Sequence, residues 1–280
     1  MPELPEVQAH AERLTAEDAG RTLRRFVPLT FTALKTVVPA PDAAYGQPLL
    51  DVGRRGKYLL LRFEPVTFVV HLMQGGRLLV DAKQAAKPRG GQARFVFADD
   101  GPALLLTEQG TERKAGVWCV ASDGALGAPP LDHLGPEADR IEADELLRRF
   151  TAKSMRLHGF LRDQRCLAGV GRRLANEICH RAKLSPFAMT GKLTADDAAT
   201  VVRAIRDSID DDLAHERGRT DMSSSKDRLG RVHHREGEPC PVCGDNIRAV
   251  EYSGYTVNYC PTCQTGGKVL ADNTTSKFLK

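Results

Sequence analysis

The sequence predicts an α+β protein: an N-terminal helix feeding a sheet-rich body, then a helical segment, then a small four-cysteine ribbon. Three observations carry this. Apolar spacing is helical in the first twenty residues, changes to short β-type runs up to about residue 120, and returns to helical spacing after a Gly/Pro-rich stretch, GALGAPPLDHLGP, at 124–136. Two Cys-X-X-Cys pairs then lie near the end of the chain. At 280 residues the chain has room for more than one core.

The opening helix is signalled by Pro2 and Pro5, which suit a helix start, and by Glu3 and Glu6 at its positive end. Val7, His10 or Ala11, and Leu14 form one face, and Gly20 closes the element. The β-type runs include Lys57–Phe63, Val66–His71, Ala93–Phe97, Ala103–Leu106 and Val117–Ala121, separated by Gly, Pro and Asp-Gly punctuation as in a sandwich or barrel. Beyond the linker, helices are expected over Ala143–Phe150, Leu161–Cys166 and Gly171–Lys183. A longer one opens at an N-cap, Thr194, with Asp197 three residues on, and runs through Ala198, Val201, Val202, Ile205, Ile209 and Leu213. The polar stretch Glu216–Glu238 reads as a loop.

Composition narrows the function classes. With 41% hydrophobic and 27% charged residues the chain is an ordinary globular one, not a disordered or fibrous one. No apolar run approaches a membrane span of about 18 residues, and MPELPEVQAH lacks the features of a secretory signal, so a cytoplasmic protein with no membrane partner is expected. The net charge is only +4, but the stretch from Arg148 to Lys183 carries ten Lys or Arg against Asp163 and Glu177. A basic segment on an otherwise acidic body is the footprint of a nucleic-acid binder.

Cys240-Pro-Val-Cys243 and Cys260-Pro-Thr-Cys263, sixteen residues apart, match a zinc ribbon. One structural Zn2+ per chain is expected on Cys240, Cys243, Cys260 and Cys263. A site filled by protein ligands leaves no position for water or substrate. Cys119, Cys166 and Cys179 lie in apolar or helical surroundings and read as packing residues.

PELPEV at residue 2, RRGKYLLL at 54–61, GVG at 169–171 and the terminal ribbon, taken together and in order, resemble the formamidopyrimidine-DNA glycosylase and endonuclease VIII family of base-excision repair enzymes. SPFAMTGKL and CPTCQTGGK are most similar to an actinobacterial-type branch. The resemblance implies a catalytic β-sandwich domain over 1–130 behind the first helix, a helix-two-turn-helix DNA-binding domain over 131–235 and a zinc finger over 236–280. DNA would lie in the cleft between lobes. It further implies a bifunctional DNA glycosylase and abasic-site lyase, acting as a monomer on damaged DNA: duplex, and also single-stranded or distorted. A nucleoid association would follow when it is bound. The alternative is a lesion-binding paralogue of the same fold with little or no catalysis.

In that family reading Pro2 supplies a secondary amine once Met1 is removed, Glu3 is the general acid/base, Glu6 a supporting carboxylate and Lys57 a phosphate contact beside the lesion. Arg113, Arg172, His71, Gln74 and Tyr255 fall on DNA-contacting positions. Several depart from the pattern: Arg172 replaces an asparagine, His158 a lysine five residues before Asp163, and Tyr255 an arginine five residues before Cys260. Gln74, beside Met73, replaces a methionine, and Ala115 stands where a wedge phenylalanine is usual.

Overall fold

The computed structural model describes residues 1–110, 113–222, 230–252 and 254–270. The chain forms two compact units, Met1–His133 with His215–Met222, and Leu134–Ala214 with Ser223–Lys280.

In the first unit, α1 (Leu4–Asp18) begins with Pro5 in its first turn and buries Leu4, Val7, Ala11 and Leu14. Its N-terminus is closed by a capping box, in which the Glu3 backbone N–H donates to Glu6 Oε2 at 3.0 Å and the Glu6 N–H turns to the Glu3 side chain. The strands that follow are β1 (Leu23–Pro28), β2 (Asp51–Arg55), β3 (Tyr58–Arg62), β4 (Val66–His71), β5 (Gly76–Asp81), β6 (Gly91–Phe97), β7 (Ala103–Glu108) and β8 (Gly116–Ala121). Among the described residues they pair antiparallel into two four-stranded sheets, ordered β1-β6-β7-β5 and β2-β3-β4-β8.

The two sheets share one aromatic core. Phe26 of β1 stacks on Phe68 of β4 at 5.4 Å between centroids, and Phe95 of β6 meets Phe68 edge-on at 5.2 Å. This is a β-sandwich. Helix α1 lies on β2 and β3, and the Thr15 hydroxyl both accepts from Val52 N–H at 2.9 Å and donates to Val52 C=O at 3.2 Å. The segment after residue 214 returns to this unit: Arg217 forks onto Glu12 at 2.8 and 2.7 Å, and Arg13 donates to the Glu216 carbonyl at 2.9 Å.

The second unit contains α2 (Ala143–Ala152), α3 (Leu157–Arg162), α4 (Arg172–Arg181) and most of α5 (Ala195–Arg217). The expected N-cap of α5 is present: Asp197 N–H donates to Thr194 Oγ1 at 3.2 Å and Thr194 N–H to Asp197 Oδ2 at 2.9 Å. The expected helix over 161–166 is instead α3, four residues earlier. Leu157, Phe160 and Leu161 form its buried face, and Asp163 ends it by accepting the Arg165 N–H at 3.0 Å. Gln164 then spans the turns, donating to Val170 C=O at 2.8 Å and accepting from Gly169 N–H at 2.9 Å. Helix, two turns and helix result.

A buried Arg173–Asp212 ion pair joins α4 to α5. The chain ends in the hairpin of β9 (Arg248–Tyr252) and β10 (Tyr255–Tyr259), followed by the short α6 (Pro261–Thr265).

Candidate functional site

Pro2 is buried directly ahead of α1, and Met1 before it is 47% exposed. Glu3 and Glu6, the two carboxylates of the capping box, are also buried. Sequence spacing alone fixes this pair, because residues at N-cap and N3 of a helix face each other.

Lys57 lies in the β2–β3 hairpin. Arg55 and Tyr58 are the last paired residues, so Gly56 and Lys57 form a two-residue turn. Gly56 has φ +56°, as a hairpin turn with glycine at its first central position requires. Arg54 ties this turn to the helix, with Nε donating to Gln8 Oε1 at 3.0 Å and Nη1 to the Gly56 carbonyl at 3.2 Å. The sequence places Arg54 in a motif without giving it a task. Its role in setting the Lys57 turn against α1 comes from geometry.

His71 is opposite Tyr58 in the β3–β4 register, with ring centroids 4.5 Å apart. Burial, reinforced by the Lys57 charge, holds its imidazole down to about 4, so it is neutral at pH 7. Its Nδ1 accepts the Met73 N–H at 3.1 Å, which leaves the ring proton on Nε2 as a donor. Gln74 is exposed in the β4–β5 turn, and Arg113 is exposed ahead of β8. Ala115 is part of the sandwich core, 1% exposed, its N–H held by Glu108 Oε2 at 2.6 Å. A side chain so placed faces the interior and is no wedge.

The basic segment of the second unit is more neutral than its sequence implies. Arg148 and Arg149 pair with Glu145, Lys153 and Arg165 with Asp163, Arg173 with Asp212 and Arg181 with Asp211. Arg172 is exposed at the first position of α4. Tyr255 opens β10 with the Arg162 guanidinium 3.8 Å from its ring centroid and the His158 ring stacked at 5.6 Å. His158 is 2% exposed, and burial together with Arg162 and Arg172 lowers it to about 3. The Arg172 backbone and the Asn176 side chain approach its nitrogens without reaching hydrogen-bond geometry. Glu177, legible in the sequence only as a charge, accepts the backbone N–H groups of Arg231, Val232 and His233 at 2.7, 3.2 and 2.9 Å. That fixes the approach to the ribbon.

The four cysteine sulfurs of the ribbon all lie within 4.8 Å of one another. Cys240 and Cys263 are 3.9 Å apart and Cys243 and Cys260 3.4 Å, against about 3.8 Å between thiolates arranged tetrahedrally at Zn–S of about 2.3 Å. Asp245 in the first knuckle accepts the Thr262 hydroxyl of the second at 2.8 Å, and Gln264 donates to Leu184 C=O at 2.9 Å, docking the ribbon on the end of α4. His180 Nε2 lies 3.3 Å from Cys240 Sγ. A zinc-bound thiolate carries no proton, so the imidazole is the donor. The set fits a structural zinc ion, held by Cys240, Cys243, Cys260 and Cys263.

Among the described residues no helix is long and apolar enough to cross a membrane. Two family models match the chain: the formamidopyrimidine-DNA glycosylase N-terminal domain over residues 1–116, and a zinc finger found in FPG and IleRS over 237–266. A formamidopyrimidine-DNA glycosylase of Pelotomaculum thermopropionicum is 33% identical over 287 residues, covering 94% of this chain and 99% of its own. An uncharacterized formamidopyrimidine-DNA glycosylase-like protein of Mycobacterium tuberculosis is 40% identical over 156 residues, 55% of this chain and 99% of that one. Among solved structures, the MutM (Fpg) protein of Thermus thermophilus matches with a TM-score of 0.81 at 29% identity, over 96% of this chain and 100% of that one. Lactococcus lactis Fpg non-covalently bound to DNA containing an abasic site shares the fold, with a TM-score of 0.83 at 19% identity over 94% of this chain and 99% of that one. Near-complete coverage by a relative at 33% identity, with the N-terminal-domain and zinc-finger family models matched at the two ends of the chain, makes this chain a member of the formamidopyrimidine-DNA glycosylase family.

Proposed function

We propose that this protein is a DNA glycosylase with abasic-site lyase activity, which works through the amine of Pro2 after Met1 is removed. The observation that carries the reading is the start of α1: a buried proline, a capping carboxylate at Glu3, and the Lys57 turn tied to the same helix through Arg54. An α-amino group has a pKa near 8, and the positive end of a helix disfavours its ammonium form. A free amine is thus accessible at neutral pH.

The amine nitrogen bonds to C1′ of the damaged nucleotide as the base leaves with its bonding pair and takes up a proton. The adduct then loses its N–H proton and the C1′–O4′ bond breaks, O4′ taking up a proton, to give an iminium. Because the amine is secondary, this iminium has no N–H left to lose, stays cationic and acts as an electron sink. Loss of a C2′ proton then expels the 3′ phosphate and cuts the strand. Glu3 supplies the proton to the opening sugar ring and Glu6 supports it. Lys57 and the Nε2–H of neutral His71 bind phosphate next to the lesion, Arg113, Gln74 and Arg172 contact the rest of the DNA, and Tyr255 serves the DNA face through the Arg162 guanidinium stacked on it. The target base must leave the stack before C1′ is within reach. The relatives are named for formamidopyrimidine lesions, and one solved relative of the fold holds carbocyclic 8-oxo-G DNA. Oxidised purines are therefore the first substrates to assay. The actinobacterial-type assignment is supported by the Mycobacterium tuberculosis relative.

A second reading, a lesion-binding paralogue without efficient excision, is favoured by one observation: Glu3 already has a structural task as the helix cap. Assaying protein with Met1 retained against protein with Pro2 exposed separates the two. Cleavage of abasic DNA only by the Pro2 form supports the lyase, and equal binding without cleavage by both forms supports the paralogue.

A further inference from the structure

Arg162, His158 and Tyr255 come together from α3 and β10 of the second unit. His158 and Arg162 are one helical turn apart, so both reach the same neighbour, and that neighbour is the Tyr255 ring. The Arg162 guanidinium lies 3.8 Å from the ring centroid. Arg172 acts on the same buried imidazole from the start of α4. The Tyr255 ring thus carries one guanidinium, that of Arg162, stacked on it beside the His158 ring. A guanidinium stacked by its face has its N–H donors in the plane of its edge, the geometry that fits the oxygens of a phosphate. His158, neutral and 2% exposed, adds packing to this corner and no charge.

We propose that Arg162, held in place by the Tyr255 ring, binds a backbone phosphate of DNA, and that Tyr255 acts as its positioning residue. The inference rests on the DNA-binding part of the proposed function and is independent of excision. Cation–π stacking fixes a side chain that would otherwise sample many rotamers, so the contact forms without the full ordering cost of a free arginine.

The test is the salt dependence of binding to a duplex carrying a tetrahydrofuran abasic analogue. Arg162→Ala is expected to weaken binding about tenfold and to lower the slope of log K against log salt by about 0.9, the signature of one lost phosphate contact. Tyr255→Leu should reproduce most of that loss and Tyr255→Phe very little. Arg162→Ala/Tyr255→Leu should be no weaker than Arg162→Ala alone. Zinc content and thermal midpoint certify each fold, and Arg162→Gln serves if the alanine variant is unstable. An unchanged slope in Arg162→Ala or Arg162→Gln overturns the proposal, as does full additivity with Tyr255→Leu. Failure of the wild type to bind the duplex at all would instead refute the proposed function.

Discussion

Replacing Glu3 with glutamine removes an acid without removing a cap, because the amide oxygen can still accept the Glu6 N–H in the capping box. Glu3→Gln is therefore expected to melt within about 1 kcal/mol of the wild type, whereas losing the cap in Glu3→Ala costs about 0.5–2 kcal/mol. Base excision should fall at least about 100-fold in Glu3→Gln, the usual contribution of a positioned acid or base. Cleavage of ready-made abasic sites should fall less, since the base has already gone. Single-turnover assays on both substrates check this, and equal losses on the two would assign Glu3 another task. At the same scale, Ala115, which departs from the wedge phenylalanine of the family pattern, has its side chain packed in the sandwich core and its N–H on Glu108.

Helix α4 connects the helical module to the metal. His180 donates to Cys240 Sγ and Gln264 anchors the ribbon on Leu184, so a change in α4 reaches the zinc site without touching a ligand. Outer-shell partners are worth about 10–100-fold in metal affinity. His180→Leu should accordingly release zinc to a chromogenic chelator about tenfold faster than the wild type, and His180→Gln, which keeps an N–H, should fall between. Identical release rates would mean that the imidazole only fills space. Elements specified by neighbouring residues are legible in the sequence. The cysteine knuckles and the Thr194–Asp197 box each close within a few residues. Elements settled by distant partners are not. Two of the segment's ten basic side chains, Arg173 and Arg181, are paired with Asp212 and Asp211, more than twenty-five residues beyond its end. Helix α3 is displaced from its expected place because Leu157 and Phe160 are buried by packing that no local spacing announces.

Across the molecule, several buried imidazoles stay neutral when folded. His10 is held down to about 4 by burial and then by Arg13, with Nε2 on the Leu78 carbonyl at 2.9 Å. His71 is lowered to about 4, and His158 and His233 to about 3, in each case chiefly by burial. An unfolded histidine titrates near 6.5, so between about pH 6.5 and 4 the unfolded chain binds protons that the folded one refuses. Stability is thus fully present above about pH 6.5 and is lost as the pH falls. His10→Gln should make that loss shallower by about 1.4 kcal/mol per pH unit in denaturant titrations, and an unchanged slope would show that His10 protonates in the folded state. At this scale we propose domain divisions at 130 and 235 and a monomer that takes damaged DNA as duplex and also in single-stranded or distorted form. The central claim is the Pro2 nucleophile, and borohydride reduction of the protein with abasic-site DNA tests it most directly, followed by mass spectrometry of the N-terminal peptide. A covalent adduct on Pro2, absent when Met1 is retained, is the expected result; a wild-type protein with Pro2 exposed that binds abasic DNA and yields no adduct would contradict it.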